Sequence, residues 1–299
     1  MDVLLIFINI IVFLALAPLY EGIIRKLTAK VQSRQGPPIT QPYFDLLKLL
    51  GKDNINPGSR VFNFAPMMSF AAILSVVMLL PMGHRANFLT GYADIITIIY
   101  LLTLGGIAIM LGALASKNTY AVIGASREMV TMIMVEPVLA MTFLLGAVKV
   151  QSLGIDATMF SITTEGYSIA TGIMMIIFLM ALQAFVARQP FDISEAEIEI
   201  LEGPFIEYSG PNYALFKYSM MLKQMFYAAL FVTVFIPYVA TGYFAADLAI
   251  QLAEIAVVFV FISVIGSTNP RLRIDQAEKY YAFLVVAAIA TVGLSVYGI

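Results

Sequence analysis

The chain has 299 residues, 61% of them hydrophobic and only 12% charged, with 17 basic and 19 acidic side chains for a net charge of −2. Soluble domains carry about 25% charged residues, so a soluble fold is excluded and a polytopic, all-α membrane protein is expected. Without cysteine, and with one histidine, the chain has no means to form a disulfide, a thiolate-bound zinc, a cysteine-held iron–sulfur cluster or a histidine-rich metal site. Any redox centre it serves belongs to another chain, and no nucleic-acid partner is expected.

Apolar runs long enough to cross about 30 Å of hydrocarbon as helix fall at 3–23, 65–83, 94–115, 129–148, 168–187, 214–240, 245–266 and 280–298. About eight transmembrane helices in a single domain over 1–299 are therefore predicted. The first run lacks a cleavage signature and is expected to stay as a span. Pro237 marks a stop or kink near the end of the sixth.

Between the first two spans, Gln41 to Leu50 reads QPYFDLLKLL, with apolar residues at helical spacing, Pro42 in the first turn and Gly51 just beyond. This predicts an amphipathic helix in the membrane interface that either packs on the bundle or lines a ligand cavity. The loops after spans one, three, five and seven hold thirteen basic residues, among them Arg25, Arg34, Lys48, Arg127, Arg188, Arg271 and Arg273, whereas the intervening loops hold Arg85 and Lys149. By the positive-inside rule the odd loops are cytoplasmic and both termini face outward.

Several charges fall inside the apolar runs. Glu136 lies nine residues beyond Arg127, about 13 Å further along a helix, and Pro137 frees a carbonyl beside it. Intramembrane acids are costly unless protonated or paired, and they mark ion pathways by default. Lys223 in the sixth span and Glu254 in the seventh are expected at similar depth, as a switchable relay or a static pair that fixes helix register. Glu21 closes the first span on its basic side.

The most concentrated chemistry lies from Arg188 to Gly210, where Asp192, Glu195, Glu197, Glu199, Glu202 and Glu207 stand between two apolar runs. Crowded carboxylates at a low-dielectric boundary repel and rise in pKa. They suit proton relay or cation entry, and the competing reading is a solvated acidic loop meeting a basic partner.

The order Pro190-Phe191-Asp192, Glu195-Ala196-Glu197, Glu199, Gly203 and Glu207-Tyr208-Ser209-Gly210 closely resembles the loop between the fifth and sixth helices of the complex I subunit 1 family. That family comprises the membrane subunit joining the arms of respiratory complex I and its relatives in membrane-bound NiFe hydrogenases and formate hydrogenlyase. The resemblance extends to Lys26, Lys30, Gln32, Arg34, Gly36 and Pro37, to Gln41-Pro42, Asp45 and Lys48, to the Arg127–Glu136 spacing, and to the segment Asn269 to Gln276. Complex I members carry an Asn-Arg-Val-Gly-Pro insert that Gly36-Pro37-Pro38-Ile39-Thr40-Gln41 lacks. Glu202-Gly203-Pro204 and Leu222-Lys223-Gln224 resemble the hydrogenase and formate hydrogenlyase branch, and Ile24 stands where complex I has an acid, with Glu21 one turn earlier.

The resemblance implies a non-catalytic subunit of an energy-converting hydrogenase in the cytoplasmic membrane of a prokaryote, coupling ferredoxin-to-proton electron transfer to H⁺ or Na⁺ movement. It holds no cofactor; the NiFe centre and iron–sulfur clusters are expected on a large subunit, an iron–sulfur small subunit and a ferredoxin-like subunit, with antiporter-like subunits alongside in the bilayer. Coupling is assigned to Glu21, Glu136, Asp192, Glu195, Glu197, Glu199, Glu202, Glu207, Lys223 and Glu254. Docking or structural roles fall to Arg34, Gln41, Asp45, Lys48, Arg127, Arg271, Arg273 and Asp275. Alternatives are subunit 1 of a quinone- or phenazine-linked complex I relative, or an autonomous ion transporter, which calls for internal repeats that the sequence does not show.

Overall fold

A computed structural model of the chain describes residues 2–55, 57–83, 85, 88–237 and 241–298; the side chains of residues 2–4, 197 and 198 lie outside the description, and with them the expected role of Glu197. Helix follows helix: α1 (Asp2–Val31), α2 (Gln41–Leu50), α3 (Arg60–Leu79), α4 (Ile95–Ala115), α5 (Thr119–Val150), short α6 (Ile155–Met159) and α7 (Ser161–Glu165), α8 (Ile169–Phe185), one-turn α9 (Glu197–Ile200), α10 (Gly210–Phe235), α11 (Phe244–Thr268) and α12 (Ile274–Val296). Among the described residues, seven helices are long and apolar enough to cross a membrane, and α8 is a shorter apolar one. These eight coincide with the eight expected spans.

The boundaries differ from expectation where charge, not apolarity, continues a helix. α1 runs on through Arg25 and Lys26 to Val31 with Lys30 in its last turn, where a cation favours the negative end of the helix dipole. α5 begins ten residues early because the Asn118 side chain accepts the Tyr120 N–H at 2.8 Å, satisfying a donor that the first turn leaves open. α10 stops at Phe235 because Ile236, ahead of Pro237, is extended, as steric contact with a proline ring demands. The two short helices α6 and α7 were not foreseen.

α10 is the axis of the bundle: 83% of its apolar span is buried, against 28–44% for the other long helices. It packs on α1, α2, α3, α8 and α11, while α5 packs on α4, α8 and α12. At the end carrying residues 80–83, Asn9 donates to the Leu80 carbonyl (2.8 Å), and fully buried Gln251 accepts from the Gly83 N–H (2.7 Å) and donates to Thr233 (3.2 Å). These bonds close that end and fix α10 against α11. The opposite end, with the basic loops and the acidic segment, stays open and polar.

α2 spans the predicted residues, with Pro42 in its first turn and Gly51 as its C-cap. It buries Pro42 and Leu46 against the bundle and exposes Phe44, Leu47 and Leu50. It does not line the central chamber described next.

Candidate functional site

At the charged end, α1, α10, α11 and the segment after α8 enclose a chamber of about 420 Å³. Its polar wall includes Glu21, Arg25, Arg188, Glu195, Glu202 and Gln224, and its apolar wall includes Ile24, Phe205, Met220 and Ile262. Glu21, 4% exposed, is the hub of this wall. Arg188 donates to one carboxylate oxygen, and Arg25, one turn along α1, donates to the other at 3.1 Å. With its amide oxygen facing Arg188, Gln224 accepts from Nε at 3.0 Å and donates to Glu21 at 3.2 Å. Arg25 also reaches Asp45 at 2.8 Å, and Gln41 donates to the same carboxylate at 3.1 Å. Burial opposes ionisation of Asp45, but the bonds from Arg25 and Gln41 hold its pKa below the usual carboxylate range. One network thus joins α1, α2, α10 and the acidic segment.

The acidic segment is pinned from both sides. Asp192 takes a bond from Arg271 at 2.5 Å, and Arg127 donates to Glu199 at 2.7 Å and to the Ile193 carbonyl at 3.3 Å. The Arg127 bond holds Glu199 below its ordinary pKa. Leu201, Glu202 and Gly203 follow one another in the left-handed region, φ 51°, 67° and 48°, which strains each non-glycine residue by about 1–3 kcal/mol. The turn seats Glu202 on the chamber wall, where it accepts from Tyr213 at 3.2 Å. Glu207 instead takes a bond from Asn118 (2.6 Å) at the surface. Arg34 and Lys48 are exposed, and Arg273 and Asp275 stand exposed where α12 begins.

Glu195 opens onto the chamber and is otherwise enclosed. Burial first, then the negative charges of Asp192 and Glu128, push its pKa up to about 8, with Arg188 and Lys223 only partly offsetting them. Its carboxyl is therefore expected to be protonated at pH 7 and to ionise as pH rises through about 8. A protonated-carboxyl infrared band that is present at pH 6, is lost by pH 9 and is missing in Glu195→Gln checks this; a band that has already vanished at pH 6 contradicts it.

Two smaller cavities lead inward from the chamber. One of about 20 Å³ lies among Glu195, Glu128 and Lys223 and shares Ala187, Phe205 and Met220 with the chamber wall; the next, about 40 Å³, is lined by Glu128, Glu136, Lys223 and Tyr227. Each exceeds the 10–15 Å³ or so that a water needs, and each offers it polar partners. Glu195, Glu128, Lys223 and Glu136 thus line two neighbouring cavities that share Glu128 and Lys223 as wall residues.

Two points were not legible beforehand. Glu128, the residue between Glu195 and Glu136, was hidden because a carboxylate following Arg127 reads as surface charge; its spacing of eight residues, two helical turns, from Glu136 was the available signal. The expected depth match of Lys223 and Glu254 does not form. From the Gln251–Thr233 contact, Lys223 lies ten residues further toward the charged end and Glu254 only three, which separates them by about 10 Å in depth. Lys223 faces Glu128 and Glu136, and Glu254 lines none of these cavities. Among the described residues no group of histidine, aspartate or glutamate side chains is arranged to hold a metal ion.

Comparison with known proteins places this arrangement. Residues 3–296 match the family described as NADH dehydrogenase. Hydrogenase-4 component C of Escherichia coli K12 is 32% identical over 95% of this chain and 90% of its own length, and formate hydrogenlyase subunit 4 of the same organism 31% over 97% and 99%. A subunit of the NADH-quinone oxidoreductase of Bacillus cytotoxicus is 30% identical over 91% and 86%. A chain in the structure of the membrane-bound sulfane sulfur reductase, an archaeal respiratory membrane complex, superposes with a TM-score of 0.84 at 27% identity, covering 97% of this chain and 99% of that one. A match along nearly the whole chain, on eight apolar helices with a charged chamber at one end, makes this protein a member of the NADH dehydrogenase subunit 1 family.

Proposed function

We propose that the chain is the membrane subunit of an energy-converting NiFe hydrogenase complex, with its charged end at the cytoplasmic face of a prokaryotic inner membrane and both termini outside. The observation that carries this reading is the end-to-end likeness to two hydrogenase-type components. The two neighbouring cavities lined by Glu195, Glu128, Lys223 and Glu136 supply the physical reason why such a subunit does more than anchor. Glu202, Glu207 and the exposed face of the acidic segment offer a docking surface for an iron–sulfur small subunit and a nickel-bearing large subunit, with a ferredoxin-like subunit feeding electrons and antiporter-like subunits alongside. Redox turnover in the docked arm displaces the segment and changes the charge balance at Glu195. The proton then passes through Glu128 and Lys223 to Glu136, and the change of charge at mid-membrane drives H⁺ or Na⁺ movement in the adjoining subunits.

A second reading keeps the same membrane device under a different redox arm. It is favoured by the superposition on a chain of a sulfane sulfur reductase complex and by a chamber of a size that small-molecule sites reach. The two separate on the intact complex, purified gently through a tag on this subunit. Stoichiometric nickel with hydrogen-dependent dye reduction is the expected result. An intact iron–sulfur complex without nickel rejects the hydrogenase arm in favour of a sulfur- or quinone-reducing one.

A further inference from the structure

A second cavity, of about 280 Å³, opens at the surface between the acidic segment and the start of α12. Three arginines line it, Arg127, Arg271 and Arg273, together with Glu199 and Asp275. Arg127 is already committed to Glu199 and Arg271 to Asp192. Arg273 is exposed, and the buried Nε–H of Arg271, which lines both this cavity and the central chamber, has no hydrogen-bond acceptor. With Arg127 and Arg271 paired to Glu199 and Asp192, the groups left open to an anion are the Arg273 guanidinium, for which no ion pair forms among the described residues, and the Arg271 Nε–H. The first turn of α12 adds backbone N–H groups of the same sign.

The level of this cavity in the membrane decides what fills it. Arg127 and Arg273 each have 23 helical residues beyond them, to Val150 in α5 and to Val296 in α12. Twenty-three residues span about 34 Å, slightly more than the hydrocarbon core of about 30 Å. Both arginines therefore sit at headgroup height, on two helices that pack together. Below them, toward the bilayer, the same helices expose apolar Ile133 and Phe283. An arginine-lined pocket at the boundary above an apolar flank fits an acidic phospholipid, whose phosphate takes hydrogen bonds from Arg273 and the Arg271 Nε–H and whose chains lie along the helices.

We propose that this cavity binds the phosphate of an anionic phospholipid, such as a phosphatidylglycerol, as a fixed lipid between the acidic segment and α12. The lipid spans the contact that holds Asp192 and Glu199 in place, so the acidic segment is braced by the membrane itself. This site is independent of which redox arm docks.

The test uses the intact complex, delipidated and returned to vesicles of phosphatidylcholine containing one-fifth spin-labelled phosphatidylglycerol. One immobilised anionic lipid per complex is expected, retained against excess phosphatidylcholine and against inorganic phosphate. Arg273→Gln, at an exposed position whose loss leaves the fold intact, is expected to weaken that retention about fivefold, whereas Lys117→Gln, on a different loop, leaves it unchanged. Equal retention in Arg273→Gln, or equal displacement by phosphatidylcholine or free phosphate, overturns the proposal. So does loss of a partner subunit with Arg273→Gln, because a protein would then be what covers the arginines.

Discussion

Glu21→Leu is expected to lower the unfolding midpoint of the solubilised complex by the equivalent of about 3 kcal/mol, the lower end of what losing one partner of a buried ion pair costs. The lower end applies because the side chains of Arg25 and Arg188 keep 28% and 32% of their surface, and solvent screens part of their charge. The loss is nonetheless large, since one carboxylate serves two guanidinium groups and the Gln224 amide at once. Glu21→Gln keeps the shape and an acceptor oxygen and is expected to lose less. Because Arg188 opens the acidic segment, Glu21→Leu also frees that segment from α1, and proteolysis between Arg188 and Gly210 is expected to quicken. A midpoint and a cleavage rate equal to those of the native complex contradict the role given to this network.

Gly124→Ala is expected to displace the acidic segment and release the docked arm. A Cβ at this position in α5 comes within 2.6–2.8 Å of Pro204 Cδ, Pro204 N and Gly203 Cα. Two of these are backbone atoms, and Gly203 is itself closely packed, since its own Cβ would meet the Ser194 carbonyl at 2.2 Å and Gly124 Cα at 3.3 Å. The turn has little room to yield, so one methyl group forces helix and segment apart at a penalty of about 1–3 kcal/mol. The membrane subunits are expected to stay assembled because the three atoms nearest to such a Cβ all belong to the acidic segment and none to another span. Co-purification through a tag on this chain measures the result: the soluble arm is lost while the membrane partners remain, and full retention of the arm shows that the segment's position does not govern docking.

Much of this architecture was legible in the sequence because the bilayer imposes a length. Each apolar run near twenty residues became a helix, and α2 appeared at its predicted residues because Pro42, Gly51 and the apolar spacing agree. What was hidden depends on contacts between distant segments. Glu21 reads as a boundary residue, yet Arg188, more than 160 residues away, and Gln224 make it the centre of a buried network. Glu128 reads as surface charge until α10 brings Lys223 beside it. Lys223 and Glu254 mislead in the opposite sense: depth within each apolar run suggests a pair, but the register of α10 on α11 is set by Gln251 and Thr233, which no hydropathy pattern reveals. Helix ends also escaped wherever basic residues or a capping Asn118 carry a helix beyond the apolar stretch.

The claim that this subunit couples redox turnover to ion movement through its polar interior is tested most directly at Glu136. The measurement is the number of ions translocated per hydrogen molecule formed, in vesicles holding the fully assembled Glu136→Gln complex. Hydrogen formation should continue at a rate near that of the native complex while ion translocation falls to the leak of empty vesicles. An unchanged ratio of ions to hydrogen in that variant contradicts the route from Glu195 through Glu128 and Lys223 to Glu136.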